Sequence, residues 1–393
     1  MNPPAVLFLP GWYPTPVDPQ DGIFIRKHAL AVSQLRPVIV LFPVPEGAYN
    51  LPQSRTIGAL HEYFPTYKPS GLPLIGPALT LLRFFLAALR SLRIIRKTHQ
   101  PRIVHLHVIL RNGMIAMWLH FFHRLPFLLT EHWTGYLSGA HESLSSLRRF
   151  VMRIIARQSR LITVVSPALR DAMIQADLHH DIRIVPNVVE SVGRSRASIV
   201  ASTRFEGPVR ILNVSDFYDE KKNVSGLLRA FSSLVCKGID AELHIIGDGP
   251  DRKLLHTLAD TLPGLSGRVK FSGRVANEVV LEAMAKTHFY VCPSHFETFS
   301  VSTAEALAAG KPVICTACGG PEYFVDSSCG FVIPKANQKA LEEALSRMCQ
   351  QFQNFNPAAL RSAANRFQAR TVGLLFEEIY LEIQNDDSEK ISA

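Results

Sequence analysis

Apolar and polar positions along this 393-residue chain switch period repeatedly. Short β-branched and aliphatic runs stand at Val6–Leu9, Val38–Phe42, Ile103–His107, Phe127–Thr130, Leu161–Val165 and Arg183–Val185. A second series follows at Arg210–Val214, Glu242–Ile246, Val269–Ser272, Phe289–Val291, Pro312–Cys315 and Gly330–Ile333. Segments with apolar spacings of three and four lie between them and predict helices at Val224–Lys237, Arg252–Leu262, Asn277–Lys286 and Gln338–Phe352. The stretch "GRSRASIVASTRFEGP" between the two series is polar and aperiodic and reads as a linker. Strands alternating with helices of this length imply parallel sheets with right-handed crossovers. The expected architecture is α/β, with two facing Rossmann-like, doubly wound domains and a ligand in the cleft at the carboxyl ends of the strands.

Composition agrees with this picture. A hydrophobic content of 47% with 19% charged residues is globular, and the length calls for two cores. The six cysteines all follow Met173, and Cys315 and Cys318 form a single CxxC with no second pair nearby. Buried reduced thiols in a cytoplasmic protein fit that pattern better than zinc or a redox pair. The opening "MNPPAVLFLPGWYP" has no basic segment and reads as a first strand rather than an export signal. The best candidate for a membrane span, from Pro69, stops at Arg83, short of the roughly 20 residues a span needs.

Charge is unevenly divided. Residues 1–190 hold 20 Lys and Arg against 10 Asp and Glu, whereas 191–393 hold 22 against 23. The excess suits peripheral contact with an anionic membrane; nucleic acid is not expected, because no recognition motif accompanies it. In "LLRFFLAALRSLRIIRKTHQ", Leu82, Phe85, Leu86 and Leu89 share a face while Arg83, Arg90, Arg93 and Lys97 share another. Such a helix either packs on the first sheet or lies on anionic lipid.

The candidate chemistry begins in "HFETFSVSTAEALAAGKPVICTACGGPE". Glu297 and Glu305 have no charged residue between them, and a helix is expected over Ser300–Ala309 with Gly310 closing it. Backbone N–H groups at its start, near Phe299, Ser300 and Val301, can hold a phosphate, while Glu305 accepts from vicinal hydroxyls and Glu297 from a second sugar. In "TEHWTGY", His132 follows a strand's carboxyl end and is expected to point into the cleft. His105 and His107 are expected to face opposite ways on their strand. Gly22 opens a helix and allows close approach of a diphosphate, and Trp12 and Tyr13 either form an acceptor platform or cover the loop.

Glu297-(x7)-Glu305 followed by "ALAAGKPVI" and "GGPE" resembles the signature of the retaining, family-4 glycosyltransferases of the GT-B fold. "VVSPAL", "VPNVVE", "LHIIGDGPDRKLL" and "VKFSGRV" fall in the order that family shows. The resemblance implies that Glu305 binds the donor ribose, that Glu297 and His132 contact the donor sugar, and that Gly22 meets its phosphate. It places the backbone of Arg274 and Val275 at the base. The family's arginine after the first strand of the second domain is replaced here by Ser215-Asp216, and alignment from "LLRAF" puts Lys222 on the family's lysine, with Lys221 as the alternative.

The resemblance further implies a domain pair at 1–192 and 208–366, a linker at 193–207, and a helix at 367–385 crossing back to the first domain. The expected activity is metal-independent transfer, with retained configuration, from a UDP- or GDP-sugar to a glycan or lipid-linked hydroxyl, without cofactor, in the cytoplasm or at the inner membrane face. A sugar-nucleotide epimerase or hydrolase of the same fold, or a degenerate nucleotide-sugar-binding protein, is the alternative.

Overall fold

The structure, a computed structural model, describes residues 3–48, 51–109, 111–179, 181–190 and 207–392; of 387–392 it gives the backbone alone. Two compact units emerge. One is built from residues up to Val165, from Leu169–Val188 and from Ala369 onward; the other spans Val189–Gln368 and includes Ser166–Ala168. The expected linker, apart from Gly207, lies outside the described residues.

The first unit runs β1 (Val6–Pro10), α1 (Ile23–Ser33), β2 (Val38–Leu41), β3 (Val44–Pro45), β4 (Ser54–Ile57), β5 (Leu60–Tyr63), β6 (Thr66–Tyr67), α2 (Gly76–Thr98), β7 (Ile103–His107), α3 (Asn112–His123), β8 (Phe127–Glu131), α4 (Ser146–Gln158), β9 (Ile162–Val164), α5 (Pro167–Gln175) and β10 (Ile182–Ile184). Its main sheet has the order β10-β9-β8-β7-β1-β2-β5-β4 and is parallel except for the β4–β5 pair. β3 to β6 lay outside the sequence expectation. β4 is largely exposed, so nothing forces an apolar alternation there. Helix α2 also differs from expectation: Phe84, Ala87, Ala88, Leu92 and Ile95 face the sheet, and Leu82 and Leu86 are exposed.

Tyr13 is fully buried and donates to Glu62 at 2.5 Å, so it is core rather than an acceptor platform. The buried Glu62 carboxylate is held from two further sides by Arg26 and Arg55, which together with Tyr13 keep it below the usual carboxylate range despite its burial.

The second unit runs β11 (Val209–Val214), α6 (Asp219–Lys222), α7 (Val224–Cys236), β12 (Ala241–Ile246), α8 (Arg252–Thr261), β13 (Val269–Phe271), α9 (Asn277–Lys286), β14 (Phe289–Cys292), α10 (Val301–Ala308), β15 (Val313–Thr316), β16 (Gly330–Ile333), α11 (Gln338–Gln351) and α12 (Pro357–Ala364). The order is β13-β12-β11-β14-β15-β16, parallel throughout. Strands such as Phe289–Cys292 are buried along their whole length, as a parallel sheet covered on both faces requires.

The last helix, α13 (Ala369–Ser392), crosses back to the first unit. It buries Val372, Phe376, Ile379, Tyr380 and Ile383 in the core around α1. Gly373 is required there, since a Cβ would come within 2.8 Å of the Ala31 carbonyl oxygen. Two bidentate pairs, Arg36–Glu377 and Arg183–Glu382, fix its register.

Candidate active site

In an open parallel sheet, strands on either side of the reversal in strand order leave a crevice outside their carboxyl ends. The second unit reverses between β11 and β14. Lys222 follows β11 and Glu297 follows β14, and their side chains meet at that crevice with Nζ 2.7 Å from Oε1. Burial opposes the Lys222 charge, but the Glu297 carboxylate and its hydrogen bond more than offset this and raise the pKa above its ordinary value. Lys222 therefore stays protonated. Lys221 instead lies over the Tyr218 ring, 5.8 Å from its centre.

Ser294 also donates to Glu297 Oε1, at 2.9 Å. The Glu297 backbone N–H donates to the Cys318 carbonyl at 3.1 Å, which ties the loop after β14 to the end of β15. A lysine, a hydroxyl and a neighbouring strand hold this carboxylate in one orientation.

The α10 helix begins one residue later than the sequence suggests. Ser300 is its N-cap, with φ 67°, a left-handed conformation that costs about 1 kcal/mol or more for a residue with a side chain. Its hydroxyl bonds Thr303 at 2.7 Å and does not cap the helix. The first turn thus presents N–H groups without intrahelical acceptors, beside the Lys222 ammonium's strand end. Phe299 is buried, and Gly320 approaches it so closely that a Cβ would lie 2.6 Å from the Phe299 nitrogen. The Gly319-Gly320 turn is therefore a packing necessity. Glu305 is 4% exposed on α10, which excludes an ordinary solvated acid.

The loop after β12 carries Gly247 and Gly249, and side chains there would strike the backbone at Ser215 and Phe217. Beside it, the Gly273 carbonyl accepts from the Gly247 N–H at 2.9 Å. Exposed Arg274 and half-buried Val275 follow at the same carboxyl edge. Asp216 is exposed, and neighbouring Ser215 donates to Asn213 at 3.1 Å.

The first unit reverses between β1 and β7. Gly22 precedes α1 with φ 63°, and a Cβ would be 2.4 Å from the Trp12 carbonyl group, so loop packing alone demands glycine. His132 follows β8 and packs against Phe24 with ring centres 4.6 Å apart. His28, His107 and His132 are buried together, and among the described residues both ring nitrogens of His107 and of His132 lack a hydrogen-bond partner. Burial pushes all three imidazoles down, His28 to about 4, with neighbouring histidines adding to the shift of His107 and His132. They are neutral at pH 7.

The expectation that His105 and His107 face opposite ways fails. Residues two apart on a strand share a face, and these rings stack at 3.9 Å. Sequence reasoning also missed Ser294 and Glu131. The Glu131 carboxylate is buried and accepts from the backbone of Ile109, His132 and Trp133, fixing the loop that carries His132. A charged residue closing an otherwise apolar strand was the available signal.

One nitrogen from each of His28, His107 and His132 lies within 4.8 Å of the others, and among the described residues these three could hold a metal ion. Metal-bound histidines ordinarily donate their second nitrogen to an oxygen; His28 has Pro186 as such a partner at 3.1 Å, whereas His107 and His132 have none. The fit is incomplete. All six cysteines are free, with Cys236 exposed and Cys349 half-buried rather than fully buried as expected.

Residues 208–351 match the family described as "Glycosyl transferases group 1", and residues 38–191 match "Glycosyltransferase Family 4". The chain is 28% identical over 280 residues to N-acetyl-alpha-D-glucosaminyl L-malate synthase of Bacillus anthracis, covering 67% of this chain and 70% of that protein. It is 26% identical over 196 residues to the lipopolysaccharide core biosynthesis glycosyltransferase LpsE of Rhizobium meliloti, covering 49% and 54%. Anabaena HepE, solved in complex with UDP and glucose, shares the fold with a TM-score of 0.70 at 19% identity, over 97% of this chain and all of that one.

Proposed function

Since this chain belongs to the family-4 type of GT-B glycosyltransferases, we propose that it transfers a sugar from a UDP- or GDP-sugar, with retained configuration, to a glycan or lipid-linked hydroxyl in bacterial surface polysaccharide or glycolipid synthesis. The observation that carries this reading is the Lys222–Glu297 pair at the β11/β14 reversal, next to the α10 N-terminus. Together they offer an anion site: one held ammonium and a helix start whose N–H groups seek an acceptor. Lys222 and that helix start stabilise the leaving diphosphate. Buried Glu305 takes the ribose hydroxyls, and the backbone of Arg274 and Val275 borders the base. Glu297, His132 and Gly22 keep the roles of meeting the donor sugar and phosphate.

Glu297 is engaged by an ammonium and a hydroxyl, which makes it a poor nucleophile. A front-side displacement, in which the leaving phosphate takes the acceptor proton, suits that environment better than a covalent intermediate. With an exposed Asp216 where the family has arginine, Lys222 is the cation this segment brings to Glu297. The incomplete outer shell of the histidine group supports a metal-independent reading. LpsE and HepE support a glycan acceptor and a uridine donor respectively. The enzyme would act in the cytoplasm, at the inner face of the membrane.

The experiment is nucleotide release from UDP- and GDP-sugars in EDTA, with and without extracted glycolipid acceptor, followed by NMR of the product anomer. Acceptor-dependent release with an unchanged anomeric configuration is expected. Release without acceptor would favour the hydrolase, and binding without release the degenerate protein.

A further inference from the structure

Residues 63–130 contain nine lysines and arginines and not one aspartate or glutamate. That stretch includes α2 and α3, and α4 continues it with Arg148, Arg149, Arg153 and Arg157 and no acid. These helices lead from β5 to β7, from β7 to β8 and from β8 to β9, always in the same direction across the sheet. Right-handed crossovers in one direction put their helices on one face. Contacts agree: Phe85 of α2 meets Trp118 of α3 at 6.3 Å, and a Cβ on Gly113 of α3 would come within 2.8 Å of Ile155 of α4. α1 runs the other way, so it and α13 occupy the opposite face.

The outer side of such a layer is ordinarily polar. Here it is not. On α4, Leu147, Phe150, Val151 and Ile154 recur at the spacing of one helical stripe and are all exposed, Leu147 at 72% and Phe150 at 58%, while Ile155 and Ala156 take the inner face. Phe121 and Phe122 stand out from the end of α3, and Leu82 and Leu86 from α2. Arg148 is exposed beside the α4 stripe; Arg157 is exposed and pairs with Asp177.

We infer that the outer face of the α2–α3–α4 layer is a docking surface for an anionic bilayer, with α4 lying in the headgroup region. Apolar side chains enter the acyl boundary while the arginines meet lipid phosphates. No helix among the described residues is long and apolar enough to cross a membrane. A second copy suits the surface less, because a two-fold contact would set arginines against arginines. Nucleic acid would use the arginines and leave the apolar stripe unexplained. This deepens the lipid-linked acceptor reading but does not depend on the donor pocket.

The test is co-sedimentation of the full chain with phosphatidylcholine vesicles, with and without phosphatidylglycerol, at low and high salt. Wild type is expected on the anionic vesicles alone and to be released by salt. Leu147→Glu/Phe150→Glu should lower that binding at least tenfold with unchanged melting, since both side chains are exposed. Equal binding by the double variant, or no binding by wild type, would overturn the inference. So would a concentration-dependent dimer that the double variant breaks. Nucleotide affinity is measured in parallel: its loss with vesicle binding intact would sink the donor reading and leave this surface standing.

Discussion

The two units share one topological device and equip it oppositely. At the β11/β14 reversal stands a charged, hydrogen-bonded pair, Lys222–Glu297, with a helix start beside it. At the β1/β7 reversal stand neutral imidazoles, with ring nitrogens left unpartnered on His107 and His132. Position at a reversal is set by sheet order, but what can bind there is set by the loop residues. In the proposed reading the second unit holds an anion. The first unit's neutral imidazoles suit sugar hydroxyls in that reading, and a phosphate contact there falls to the Gly22 backbone at the α1 start.

The largest effect should come from truncation after Phe367. It removes Val372, Phe376 and Tyr380 from the first core, and losing even one buried phenylalanine costs about 3–5 kcal/mol. Calorimetry should show the first unit's transition lost; an unchanged profile would contradict the packing of α13. Next in size, Lys222→Ala should lower kcat about 10²–10³-fold by removing a preorganised cation, and should also lower the melting temperature, because Glu297 loses its counter-ion. His132→Ala, in the uncharged site, should cost less than Lys222→Ala; a reversed order of the two would break the comparison.

Acid should separate the units as well. Unfolded histidines take up protons below about pH 6.5, whereas folded His28 resists until about 4. Stability is thus full above pH 6.5 and lost as pH falls toward 4, by about 3 kcal/mol for His28 alone. His105, His107 and His132 act in the same direction, and the second unit has its own, fewer counterparts in partly buried His244 and in buried His288, which is lowered to about 4 by burial first and then by Arg210 and Lys311. Melting followed from pH 7.5 to 4.5 should show the first transition moving further. The smallest effect is that of Gly22→Ala, which forces a left-handed residue against the Trp12 backbone and should cost at least about 1–2 kcal/mol.

Much of this was legible in the sequence for a physical reason. Strands of a covered parallel sheet are mostly aliphatic, so β1 and β14 stood out whole, and β7, β11 and β12 through apolar positions interrupted by residues such as His105, His107, Arg210 and Glu242. The exposed β4 and the short β3 and β6 lack that signature, because few of their side chains face a core. Glu297 and Glu305 were visible through their charge-free spacer. Ser294 was not, because a serine gains its role from a partner that only the fold supplies, and Glu131 showed only as a charge closing the β8 strand, with its backbone partners invisible until the fold placed them. For α2 the sequence left sheet packing and lipid contact both open: the helix buries a face of Phe84, Ala88, Leu92 and Ile95, and most of the exposed apolar stripe lies on α4, which the sequence reading did not single out.

The most direct measurement is the affinity, in EDTA, of UDP and GDP and of their nucleosides for wild type and Lys222→Ala. One diphosphate should bind wild type at least tenfold more tightly than its nucleoside, and Lys222→Ala should erase most of that margin. Equal affinities in the two proteins, or no nucleotide binding at all, would contradict an anion site at the β11/β14 reversal.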